Sequence, residues 1–128
     1  MTHHREPVTA PGAPAAIGPY SHAVRAGGFV FVSGQPGVDP ATGDVRESFE
    51  AQARQAFANL ATVLRVAGSR PDLVVSTTVL VADQSDFAEL NELFAGFFPT
   101  DPPARMTMQV PLPRGLLISI GCTAIESS

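Results

Sequence analysis

The sequence predicts an α+β fold in which two helices pack on one face of a mixed sheet. Three observations predict it. Strand-like runs alternate with helical ones in the order ββαβαββ. One segment, from Phe49 to Ala67, repeats apolar residues at helical spacing. Two further runs, Leu73–Ala82 and Leu117–Ile125, are apolar almost throughout, too apolar for a sheet with one face in water.

The elements follow in order. Residues 1–14 read as a flexible, Pro-rich arm, and residues 15–128 as a single domain. SHAV, a Gly27-Gly28 turn and FVFVSGQ suggest a β-hairpin. DPATGD, Asp39 to Asp44, is a turn. In the first helix Phe49, Ala53, Ala56, Phe57, Leu60, Val63, Leu64 and Ala67 make the buried stripe, Ser48 caps the start and Gly68 the end. Leu73–Ala82 is β-branched and nearly continuous, so a strand buried on both faces is expected. Phe87, Leu90, Phe94 and Phe97 stripe a second helix, with Ser85 as its cap and Pro99 as its stop. Arg105–Val110 and Leu117–Ile125 are the closing strands. With one sheet face uncovered, the simplest remedy is self-association, sheets from several copies facing one another.

Composition narrows the function classes. The chain has 128 residues, 45% hydrophobic and 16% charged, which is globular rather than disordered. Its net charge of -4 disfavours phosphate-driven binding of nucleic acid. The single cysteine, Cys122, permits no disulfide within the chain and sits in an apolar run, as a small core residue would. No apolar run is long enough to span a membrane, and the N-terminal stretch has no secretory h-region, so a cytoplasmic protein is expected. His3 and His4 lie in the arm, where no geometry is fixed, and His22 stands apart from them; no metal site is expected.

Arg105 opens the question of a ligand. Arginine stays charged at physiological pH and its planar fork suits a carboxylate. Asp101, four residues earlier, offers a local surface ion pair, while the strand from Arg105 to Leu117 supplies no acid. A ligand carboxylate is the alternative.

APAAIGPYSHAV, FVSGQPGVDPATGDV, AQARQAFANLATVLRVAGS, STTVLVAD, DFAELNELFAGFF and PPAR…QVPLPRG together resemble the Rid family, also called YjgF or RidA-like proteins. The resemblance spans about Ala13 to Ile125. It implies a chorismate-mutase-like fold, a homotrimer with its sheets facing inward, and ligand sites in clefts between subunits. It also implies hydrolysis of small reactive 2-imino acids, or their enamine tautomers, to 2-keto acids and ammonia, without metal or organic cofactor. Carried over by the resemblance, Arg105 grips the substrate carboxylate and Tyr20 lines the cleft. Ser33 and Gly34 stand near the bound carboxylate, and Asn91 on the second helix faces the cleft. Thr107, two residues beyond Arg105, alternates to the same side and could hold water through its hydroxyl or carbonyl.

The chain departs from the family on its last strand. The family's deaminases carry roughly I-E-I-E-A there, and the first glutamate positions and activates the attacking water. This chain reads ISIGC, with Ser119 in place of that glutamate and Gly121 in place of the second acid. A serine can hold water but is a poor base at neutral pH. Three readings follow: a slower deaminase, a deaminase using other groups on a bulkier substrate, or a trimeric binding protein for small carboxylates that is non-catalytic or differently active. RNA cleavage, attributed to some family members, fits the charge balance least.

Overall fold

The computed structural model describes residues 4–127; His3 lies outside them. The chain runs β1 (Glu6–Val8), β2 (Ala23–Ala26), β3 (Phe29–Pro36), α1 (Phe49–Val66), β4 (Val74–Val81), α2 (Phe87–Phe97), β5 (Ala104–Gln109) and β6 (Ile118–Ile125). The strands form one sheet in the order β1-β2-β3-β6-β4-β5. Every neighbouring pair is antiparallel except β4 and β5, which are parallel. This is the expected mixed sheet with two helices.

The first helix forms where its spacing and caps place it. Ser48 Oγ accepts from the Ala51 amide at 3.0 Å, and Gly68 takes the left-handed conformation (φ 87°) just beyond the last turn. Phe57, Leu60, Val63 and Leu64 are buried against Val30, Val79, Ile118 and Ile120 of the sheet. Phe57 stacks on Phe97 of α2 at 4.8 Å between centroids, which seals the seam between the helices.

Three expectations are corrected. Part of the supposed arm is ordered: β1 pairs with β2 from Glu6↔Arg25 to Val8↔Ala23, and Ala10 and Ala13 are buried. Its anchors are remote in sequence. The Ala10 amide donates to His22 Nδ1 (2.8 Å), so Nε2 carries the proton and donates to the Pro14 carbonyl (2.8 Å). Arg25 also pairs with Glu6. Second, Ser85 does not cap α2. Asp83 Oδ1 accepts from the Ser85 amide (2.9 Å) and starts a single 3₁₀ turn, Gln84–Asp86, which feeds the helix. Third, β4 is buried on one face only within this chain: Thr77, Val79 and Val81 are covered, whereas Val75 and Thr78 are exposed. The helices cover one side of the sheet; Phe29, Phe31, Met106, Met108 and Ile125 remain exposed.

Candidate functional site

The predicted site residues fall into two groups. The first lies at the β5 edge beside α2. Arg105 Nη2 donates to Asn91 Oδ1 at 2.7 Å, and its guanidinium carbon stands 4.9 Å from the centroid of the Phe94 ring. Among the described residues Arg105 forms no ion pair, with Asp101 or any other acid. Its partners are a neutral amide and an aromatic face, so its charge is oriented without being neutralised. Thr107 lies on the same face two residues on, and its Oγ1 is buried with no hydrogen-bond partner. An orphaned buried hydroxyl costs about 1–3 kcal/mol.

The second group lines a cavity of about 410 Å³ that includes Tyr20, Gly34, Leu80, Leu116 and Ser119. The Tyr20 hydroxyl accepts from the Ile17 amide at 3.3 Å, which orients the ring. Ser33 and Gly34 form a β-bulge: the register passes from Val32↔Cys122 to Gln35↔Ile120, so both oppose Gly121. A Cβ at position 34 would lie 2.6 Å from Ser119 Oγ, so glycine there gives the serine hydroxyl its room. Ser33 itself turns away. Its hydroxyl donates to the Ser21 carbonyl (2.6 Å) and its amide to the His22 carbonyl (3.0 Å), so only Gly34 of this pair lines the cavity.

One chain does not bring the two groups together. Arg105 is in register with Thr77, and Thr77 with Cys122, on the face beneath the helices. Ser119 is in register with Leu80, and Leu80 with Met108, which puts it on the opposite face. Within a single copy, Arg105, Asn91 and Thr107 therefore cannot act with Ser119 on one small molecule.

Sequence reasoning missed the residues that hold the cavity loops. Gln52 and Asn59 stand seven residues apart on α1, and both are buried. Gln52 Nε2 donates to the carbonyls of Arg46 (2.9 Å) and Gly115 (3.1 Å), and its Oε1 accepts from the Leu117 amide (2.7 Å). Asn59 Nδ2 donates to the carbonyls of Pro36 (2.9 Å) and Val38 (3.0 Å). The signal was an amide at two-turn spacing within an apolar stripe. Arg114, also on the cavity wall, was missed as well. Away from both groups, burial pushes the Cys122 thiol up to about 12, so it stays protonated and inert as a core residue.

The mixed sheet, its two helices and the bulge beside a small cavity define a class of α+β protein with a sheet-edge arginine. The comparisons name the family: the chain belongs to the Rid (YjgF) family, whose model, described as Endoribonuclease L-PSP, matches residues 10–126. A reactive intermediate deaminase A of Arabidopsis thaliana, named as chloroplastic, is 44% identical over 122 residues, covering 94% of this chain and 65% of that one. A 2-iminobutanoate/2-iminopropanoate deaminase of Mus musculus is 42% identical over 124 residues, covering 95% and 92%. The crystal structure of RidA from an Antarctic Psychrobacter superposes with a TM-score of 0.91 at 41% identity, covering 94% of this chain and 98% of that one. Among the described residues no helix is long and apolar enough to cross a membrane.

Proposed function

We propose that this protein hydrolyses small reactive 2-imino acids and their enamine tautomers to 2-keto acids and ammonia, as a cytoplasmic homotrimer. Its site lies between copies, with Arg105, Asn91 and Thr107 from one chain and Tyr20, Gly34 and Ser119 from a neighbour. The observation that carries the reading is the state of Arg105. Its guanidinium is aimed by Asn91 and Phe94 and is met by no carboxylate among the described residues, so a substrate carboxylate completes it. The exposed apolar sheet face and the placement of the two groups on opposite faces support an assembly that completes the site. The names of the relatives support the reaction class.

The chemistry is addition of water across C=N. The water oxygen bonds to the imine carbon, protons move to nitrogen, and the C–N bond of the resulting carbinolamine breaks to give ketone and ammonia. Arg105 withdraws charge from the carboxylate and fixes the carbon. Ser119 Oγ holds the water, and Thr107 stands beside Arg105 on its strand. With no acid at position 119, the imine nitrogen is itself the base that receives the proton, and the protein supplies position rather than proton transfer. The serine favours one competing reading, a trimer that binds small carboxylates without turnover. A ribonuclease is not proposed for a chain of net charge -4.

Ammonia release from freshly generated 2-iminopropanoate and 2-iminobutanoate, against a no-protein control, tests the proposal. Acceleration by the natural protein that is lost in Arg105→Lys supports it, because an ammonium cannot reproduce the bidentate fork. No acceleration, with calorimetric binding of 2-ketobutyrate retained, gives the binding-protein reading.

A further inference from the structure

The cavity wall carries a cation that the proposed reaction does not use. Arg114 lines the same cavity as Tyr20 and Ser119, is exposed, and makes no ion pair or side-chain hydrogen bond among the described residues. Its backbone is not a passive loop. The Leu116 amide donates to the Pro113 carbonyl at 3.0 Å across Arg114 and Gly115, whose φ values are 59° and 73°. Two consecutive positive φ values make this a type I′ turn, a strained setting for arginine. Gln52 clamps the turn from the core by bonding Gly115 and Leu117. The arginine is therefore presented on a fixed support at the cavity.

The charges around it favour an anion. Among the described residues Asp39 is the one carboxylate on the cavity wall, and it is committed to Arg46 Nη2 at 3.1 Å and to the Ala41 amide at 2.8 Å. Ser119 and Gly121 place no acid on the neighbouring strand. What remains is an apolar wall, including Ile17, Leu80 and Leu116, with one uncompensated guanidinium. A volume of about 410 Å³ falls within the range of small-molecule sites, about 300–1,000 Å³.

We infer that Arg114 is a specificity-determining residue that binds a second, distal carboxylate, so that the preferred substrates are 2-imino acids derived from dicarboxylic amino acids. This inference rests on the proposed function, in which Arg105 takes the carboxylate next to the imine. A short aliphatic chain between the two carboxylates lies along the apolar wall. An acid on β6 facing that wall would repel the distal group, so the serine at position 119 and the arginine at position 114 serve the same preference.

Calorimetric titration of the full chain with 2-ketobutyrate and with 2-ketoglutarate, at equal ionic strength, tests it. The natural protein should bind 2-ketoglutarate about tenfold more tightly, the size of one charge-assisted hydrogen-bonded contact. Arg114→Asn should bring the ratio of the two dissociation constants close to one. Asparagine tolerates positive φ before glycine, so this variant keeps the turn while removing the charge. Arg114→Lys should retain part of the preference as a point charge. Equal or weaker binding of the dicarboxylate by the natural protein overturns the inference, as does a preference that survives Arg114→Asn. The two proposals fail separately. If Arg105→Lys leaves 2-ketobutyrate binding unchanged, the role of Arg105 falls while a dicarboxylate preference sensitive to Arg114 stands. If neither ligand binds the natural protein, both fall.

Discussion

Replacing Gln52 by leucine should destabilise the protein and loosen the cavity rim together. The side chain is 1% exposed and makes three hydrogen bonds to loop backbone. Leucine fills similar volume but bonds none of these groups. The carbonyls of Arg46 and Gly115 belong to exposed residues and can turn to water, so each loses about 0.5–1 kcal/mol. The Leu117 amide is at a half-buried residue entering β6, and leaving it unpaired costs about 1–3 kcal/mol. The apolar side chain offsets part of this, about 1 kcal/mol for roughly one extra buried methylene. The net loss is about 1–4 kcal/mol. Urea denaturation reads it, with parent and variant at one protomer concentration because association shifts apparent stability. Hydrogen exchange at the Leu117 amide reads the local effect, which should rise more than exchange in α1. A loss below about 1 kcal/mol would refute the clamp, since it falls under the lowest sum of the three lost bonds less the apolar offset. Unchanged protection at Leu117 would refute it too.

Two further outcomes are expected. Ser119→Glu should raise hydrolysis of 2-iminobutanoate about a hundredfold, at the lower edge of the ~10²–10⁴ that a positioned acid–base group supplies, because position 119 opens onto the cavity; a folded variant with equal or lower activity in the ammonia assay would show that the missing acid is not limiting. Stability should fall at high pH through Cys122. Its thiol is pushed from 9.0 to about 12 by burial, so the unfolded chain loses the proton first; the stability is fully present below pH 9.0 and lost as pH rises toward 12. The slope is up to about 1.4 kcal/mol per pH unit, and Cys122→Ala, whatever its own baseline, should flatten it in denaturation curves taken from pH 8.5 to 11.

Much of the fold is local and was therefore legible. The α1 stripe, its Ser48 cap and the Gly68 exit are all written within twenty-one residues, and each is visible as spacing or as a residue type with one conformational use. The missed features depend on distant partners. EPV has no strand signature of its own; it becomes β1 because Arg25, nineteen residues on, meets Glu6, and because His22 holds the segment that follows. Ser85 suits a helix cap by type, yet α2 starts from Asp86 without a side-chain cap, fed by a 3₁₀ turn that Asp83 begins, a detail composition does not encode.

The site divides along the same line. Period-two alternation placed Arg105 and Thr107 on one face without any structure, and likewise Ser119 and Gly121. Which face each pair shares with the other is a matter of register between strands, and register follows from the sheet order. Because β4 lies between β5 and β6, residue 105 aligns through Thr77 with Cys122, an odd number of residues from Ser119. That parity alone sends Ser119 to the far face. A one-residue slip in the β4–β6 pairing would bring the two groups to one side, but it would also turn Ile118, Ile120 and Cys122 out of the core; a slip in the β4–β5 pairing would instead pull Arg105 away from Asn91 and Phe94. Burial of those three side chains, at about 1.5–3 kcal/mol for each fully buried aliphatic one, fixes the register and with it the division of the site. The core thus dictates that a ligand bridging Arg105 and Ser119 must meet two copies of the chain.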